Sequence, residues 1–323
     1  MTAALWTPRC GLPAEAAPPE MHLSDTLAAP GLNDAVAPDD VADCASRTDG
    51  LLHLQAATLR LGRREFGPFE LRVAAGERVA ILGPSGAGKS TLLKLVSGEL
   101  PARSGSVHFE GRPLAAIPRA ALSSRRAVLP QSHGVAFGLP VALVVGLGRV
   151  AREPDPGQRE IVRDALRMAQ AGHLHDRRFD TLSGGEQARV QLARVLAQLW
   201  DTAHGLLLVD EPLSALDPGL QFELMDALQA FALARGHALV AVLHDINQAL
   251  NGFDRLWLVS PDAPLQDLPT GLAALPALER LYGIRLRGLR DEQGGLAVLM
   301  QRRPGLGGLA PSQPLHSLTG SPS

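Results

Sequence analysis

Val79-Ala-Ile-Leu82-Gly83-Pro84-Ser85-Gly86-Ala87-Gly88-Lys89-Ser90-Thr91 is the stretch that decides the fold. Four apolar residues run into a turn with glycine at 83, 86 and 88. Lys89, Ser90 and Thr91 then open a helical pattern whose apolar side carries Leu92, Leu93, Leu95 and Val96. A glycine-rich connection alone is only a tight turn, but Gly-x4-Gly-Lys-Ser between a strand and a helix is a phosphate-binding loop in its required setting. The glycines let successive N–H groups converge on one point, and the helix N-terminus adds its positive dipole end. Gly83 to Thr91 are therefore expected to hold a polyphosphate mostly through backbone. Lys89 is expected to neutralise the outer phosphates and the Ser90 hydroxyl to ligate magnesium. Lys89 and Lys94 are the only lysines, and arginine supplies the other positive side chains, which marks the compact ammonium at 89 as chosen for its chemistry.

Outward from the loop, short apolar runs at 79–82, 128–129, 206–209, 239–243 and 256–259 alternate with longer helical segments. That order predicts an α/β fold around a largely parallel sheet. Runs at 53–61, 69–73 and 107–109 predict a smaller antiparallel layer. A stretch from about 119 to 200, with helices near 141–149 and 158–171, predicts an inserted helical subdomain. Residues 51–300 then form one nucleotide-binding domain. The Pro-, Ala- and Asp-rich segment 1–50 and the Pro-, Gly- and Ser-rich segment 301–323 are expected to be disordered, because neither buries enough apolar surface to offset ordering entropy.

Two further strand ends carry acids and a histidine. Leu206-Leu-Leu-Val209 runs into Asp210-Glu211, and the apolar run 238–243 ends at His244-Asp245. Two acids after a strand are commonly solvated turn residues, but in a parallel sheet that also carries a phosphate loop the strand ends share one edge. Asp210 is expected to hold the magnesium shell and Glu211 to orient and deprotonate an attacking water. His244 suits a sensor that bonds a terminal phosphate and that carboxylate together.

Leu182-Ser183-Gly184-Gly185-Glu186-Gln187 precedes a helix with apolar Val190, Leu192, Ala193, Val195, Leu196 and Leu199. Read alone it is a helix cap, and also a second anion site. Here the chain resembles the ABC ATPase superfamily, whose signature this is. The resemblance rests on order over about 51–290: phosphate loop, Gln131 in Val128-Leu-Pro-Gln131, signature, Asp210-Glu211, Ser214-Ala-Leu-Asp217 and His244. It implies a P-loop NTPase core with an antiparallel β subdomain and an inserted helical subdomain, using ATP and Mg2+. It also implies that Gln131 touches the magnesium site and reports to a membrane partner. By the same resemblance, Ser183, Gly184, Gly185, Glu186 and Asp217 are expected to face nucleotide in a homodimer, where each ATP lies between the phosphate loop of one copy and the signature of the other.

Arg125-Arg-Ala-Val-Leu-Pro-Gln131, Leu147-Gly-Arg149, the helix ending Ala-Gln-Leu-Trp200, and Leu281-Tyr-Gly-Ile284 look like the importer branch serving haem, ferric siderophores and cobalamin, haem foremost. That implies a transmembrane permease dimer as partner, a periplasmic binding protein acting indirectly, and a peripheral place on the cytoplasmic face of the inner membrane. Two departures stand out. The family's adenine-stacking aromatic has no counterpart near Arg60 and Leu61. The segment Phe137-Gly-Leu-Pro140-Val-Ala-Leu, expected to meet the permease, also differs from its relatives. A non-transport ABC ATPase would be expected to carry a long coiled coil or two cassettes, and neither pattern is present. Net charge −2 gives no basic field for nucleic acid. No apolar run reaches the roughly 18 to 20 residues of a membrane span. Cys10 and Cys44 suggest free thiols of a reducing compartment, and the N-terminal stretch lacks a secretory pattern.

Overall fold

The computed structural model describes residues 50–130, 138–152, 154–211, 216–290 and 295–301. Gln131 and Ser214 lie outside these residues, as do the two expected disordered tails apart from Gly50 and Gln301.

The first layer is antiparallel. β1 (Leu52–Leu61) folds back on β2 (Arg64–Val73), while β4 (Ser104–Phe109) and β5 (Arg112–Pro113) extend the other edge, in the order β2-β1-β4-β5. The second sheet has six strands in the order β10-β9-β3-β8-β7-β6. These are β3 (Arg78–Leu82), β6 (Arg126–Leu129), β7 (Leu206–Asp210), β8 (Ala238–Val242), β9 (Arg255–Leu258) and β10 (Gln266–Pro269). All neighbours pair parallel except β10 on β9. Continuous apolar runs suit strands covered on both faces, and every residue of β7 and β8 is buried.

Alternation along each strand feeds two cores. Val79 and Ile81 join Leu208, Val240, α1 (Lys89–Ser97) and the antiparallel layer. Ala80 and Leu82 join Val209, Ala241 and the helices of the opposite face. Those helices include α5 (Gly184–Leu199), α6 (Pro218–Ala234) and α7 (Ile246–Gly252).

The stretch read as a helical insertion opens with a short helix and then the strand expected at 128–129. Residues 119–130 supply α2 (Arg119–Ser123) and then β6, the edge strand of the core sheet, because the alternating burial of Arg126–Leu129 docks it on β7. The helices that follow are α3 (Val141–Gly146), continued by the turn Leu147–Arg149, and α4 (Gln158–Met168), both packed on α5. Arg149, 1% exposed, pins this group together through Asp155 and Asp201 and donates to the Ala197 carbonyl at 2.9 Å. Beyond the core sheet, α8 (Leu275–Tyr282) leads to a hairpin of β11 (Arg285–Arg290) and β12 (Leu296–Gln301), which the hydrophobic pattern did not announce. Among the described residues no helix is long and apolar enough to cross a membrane.

Candidate active site

Register brings the expected groups to one edge of the sheet. Ile81 of β3 pairs with Val242 of β8, and Val242 pairs with Asp210 of β7, so three adjacent parallel strands release their chains side by side. The phosphate loop leaves β3, Glu211 follows β7 and His244 follows β8. This is the carboxyl edge at which open parallel sheets bind ligands.

An open cleft of about 350 Å3 lies there, lined by Phe66, Ser85, Gly86, Gly88, Lys89, Ser90, Thr91, Glu211 and His244. The loop must be glycine at both ends. A Cβ at Gly83 would sit 2.2 Å from the Val259 carbonyl oxygen, and one at Gly88, where φ is +106°, would sit 2.5 Å from Phe66 Cε1. α1 starts at Lys89 with no acidic residue in its first turn, leaving its N–H groups and dipole for an anion. Lys89 Nζ donates to the carbonyls of Gly83 at 3.0 Å and Pro84 at 3.3 Å, and lies 3.9 Å from Glu211 Oε1.

The acids divide as their environments dictate. Ser90 Oγ donates to Asp210 Oδ1 at 3.0 Å. Burial pushes the Asp210 carboxyl above its ordinary value, against the Ser90 hydrogen bond, and the neighbouring Glu211 charge adds to the rise. A half-buried hydroxyl beside a buried carboxylate supplies hard oxygen donors of the kind magnesium takes alongside phosphate and water, so the residues present fit that ion. Glu211 Oε1 lies 2.7 Å from His244 Nε2. The backbone at Glu211 is left-handed, φ 45°, a strained state for a residue with a side chain and one that collects at reactive positions.

The signature and Asp217 sit elsewhere. Ser183 caps α5 in a capping box: its Oγ accepts from the Glu186 N–H at 3.3 Å, and Glu186 Oε2 accepts from the Ser183 N–H at 2.8 Å. Asp217 caps α6 by accepting from the Leu220 N–H at 3.1 Å. Neither the signature nor Asp217 contributes to the lining of the cleft.

Comparison with known proteins decides the family. The ABC transporter family model matches residues 66–214. A hemin import ATP-binding protein, HmuV, from Pseudomonas aeruginosa is 41% identical over 249 residues, covering 75% of this chain and 96% of that protein. The chain belongs to the ABC transporter ATP-binding family. HmuV from Bordetella pertussis is 43% identical over 246 residues, with 72% and 92% covered. In fold this ABC ATPase matches a chain of an inward-facing metal-chelate type ABC transporter, with TM-score 0.65, 22% identity, and 79% and 98% covered. It also matches an ATP-binding cassette seen as a dimer with ADP and Pi, with TM-score 0.60, 24% identity, and 68% and 99% covered. As an ABC ATPase the chain hydrolyses ATP.

Sequence reasoning missed Phe66. The end of β1 near Arg60 and Leu61, where the family places its aromatic, carries none. The turn at Gly62, φ +59°, pairs Leu61 with Arg64 and Leu59 with Phe66, so β2 returns an aromatic to the same end of the hairpin. The Arg64 guanidinium lies 5.0 Å from the Phe66 ring centroid and donates to the Gly86 carbonyl at 2.8 Å. The signal was the hairpin turn, which makes register more informative than position along one strand.

Proposed function

We propose that this chain is the ATP-hydrolysing subunit of a hemin importer. It acts as a homodimer on the cytoplasmic face of the membrane, beneath a permease dimer served by a periplasmic binding protein. The observation that carries the reading is the convergence of Lys89, Ser90, Asp210, Glu211 and His244 at one sheet edge, in a chain 41% identical to a hemin import ATP-binding protein over 96% of that protein's length.

Triphosphate binds along Gly83 to Thr91 by backbone N–H groups, with Lys89 against the outer phosphates. Ser90 and Asp210 hold magnesium, which, when bound, neutralises phosphate oxygens. Glu211 accepts the proton of the attacking water, and the His244 ring holds that carboxylate in place beside the terminal phosphate. Phe66 offers the base a ring face that Leu61 does not. Ser183, Gly184, Gly185 and Glu186 close the site of a second copy, and Asp217 lies at that same junction. Gln131 carries the state of the site to the permease. ATP closes the pair and hydrolysis releases it, because only the terminal phosphate contacts both copies.

Glu211→Gln is expected to lower turnover by about 10²- to 10⁴-fold, read as phosphate release, while trapping an ATP-bound dimer, read by size. Unchanged turnover would remove Glu211 from this role. For the cargo, a strain lacking the chain is expected to lose hemin uptake and keep ferric siderophore uptake. The opposite pattern would reassign it.

A further inference from the structure

The C-terminal segment α8–β11–β12 meets the elements bordering the nucleotide cleft at two points to which the family reading gives no role. The first is Tyr282, the only tyrosine in the chain. Its hydroxyl accepts a hydrogen bond from the Gly83 N–H at 2.9 Å. Gly83 opens the phosphate loop, and its carbonyl accepts from Lys89 Nζ at 3.0 Å, the shorter of the two carbonyl bonds that hold the ammonium. One phenol thus positions the residue that positions the lysine.

The second point is α7, whose cap Asp245 directly follows His244. Asn247 and Asn251, one turn apart, face β12. Asn247 Oδ1 accepts from the Val298 N–H at 2.6 Å and its Nδ2 donates to the Val298 carbonyl at 3.3 Å. Asn251 Oδ1 accepts from the Leu296 N–H at 3.0 Å and its Nδ2 donates to the Leu296 carbonyl at 2.8 Å. A side-chain amide carries the same donor and acceptor as a peptide, so the two asparagines replace a neighbouring strand along β12. β12 pairs with β11, and the Leu286 N–H at the start of β11 donates to Glu279 of α8 at 2.6 Å.

These contacts form a closed ring. It runs from Tyr282 to Gly83, Lys89, Glu211 and His244, then along α7 to β12, β11, α8 and back to Tyr282. A two-stranded hairpin has little stability of its own and needs something to pack on. This one is fastened to α7, which follows His244, and to α8, whose Tyr282 bonds the first residue of the phosphate loop. We propose that the C-terminal segment is a strap that sets the spacing between the phosphate loop and His244, with Tyr282 and Asn247 as positioning residues for ATP binding and hydrolysis.

This inference rests on reading the cleft as the ATP site, and Mg-ATP turnover of the unaltered chain tests that reading separately. The strap is tested by ratios to the unaltered chain. Tyr282→Phe deletes one oxygen and is expected to raise KM for ATP about tenfold. Asn247→Ala is expected to lower kcat about tenfold with KM within twofold, since His244 acts after binding. Both variants unchanged within twofold in kcat and KM, with only the melting temperature lowered, would overturn the proposal and leave the strap as a fold support. A measurement on the full chain without either variant guards against loss of folding. With ring-labelled tyrosine there is a single resonance, expected to shift on adding Mg-ATP and to shift differently in His244→Ala. The same response in both proteins would also overturn it.

Discussion

At Asp210 burial and the Ser90 hydrogen bond pull against each other, and the outcome is measurable. Its folded carboxyl titrates above the ordinary value because desolvation outweighs the Ser90 hydrogen bond, so at neutral pH the ionised form is held at a cost to folding. Asp210→Asn is therefore expected to raise the melting temperature of the nucleotide-free protein while abolishing magnesium-dependent turnover. A lowered melting temperature would mean that the charge is better paired than its surroundings indicate. Phe66 makes a second residue-scale case. If its ring stacks the base, Phe66→Ala should weaken ATP about tenfold, in line with about 1–3 kcal/mol per stacked base, and leave inorganic tripolyphosphate binding unchanged. Equal losses for both ligands would show that the ring only supports the loop at Gly88. The motif residues were legible because phosphate, magnesium and water each demand a residue type at a fixed spacing. Phe66 was not, because its place depends on strand pairing across a turn.

At the scale of elements, the parallel strands were legible as uninterrupted apolar runs, since burial on both faces leaves no polar position to confuse the pattern. β11 and β12 were not, because their residues are mostly exposed and their docking is done by asparagine amides rather than by apolar side chains. β6 was partly hidden for a related reason, its four residues alternating buried with half-buried at a sheet edge. The junction of α6 and β8 gives this scale its own test. His237 is fully buried, and its Nδ1 accepts from the Gly205 N–H at 2.9 Å, tying the start of β7 to that of β8. Burial, helped by the Arg235 charge, lowers its pKa from 6.5 to about 4. The unfolded chain therefore binds a proton near pH 6.5 that the folded chain refuses until about pH 4. Stability falls as pH drops through that window, by about 3 kcal/mol at most. Thermal melts from pH 7 to 4 should show this slope, and His237→Asn, which keeps an acceptor for Gly205, should flatten it. An equal slope in both proteins would place the acid sensitivity elsewhere.

For the whole molecule, the proposed function requires two copies. The cleft holds the phosphate loop, Glu211 and His244 of its own chain and nothing from the signature, whose Ser183 is engaged in capping α5. Gly184 offers a selective probe: a side chain there meets nothing within 4 Å, and an acid at the first position of a helix suits its dipole. Gly184→Asp should therefore fold normally and bind ATP at its own loop, yet repel the triphosphate of a partner. Lys89→Ala has the complementary defect, a disabled loop beside an intact signature. The most direct measurement mixes these two proteins, both carrying Glu211→Gln, and counts the ATP retained after gel filtration. Neither variant alone should retain ATP in a dimer, while the mixture should form dimers holding at most one ATP per pair, in the single composite site where both halves are intact. Retention of ATP in dimers of Gly184→Asp alone, or none in the mixture, would contradict a nucleotide site shared between two copies.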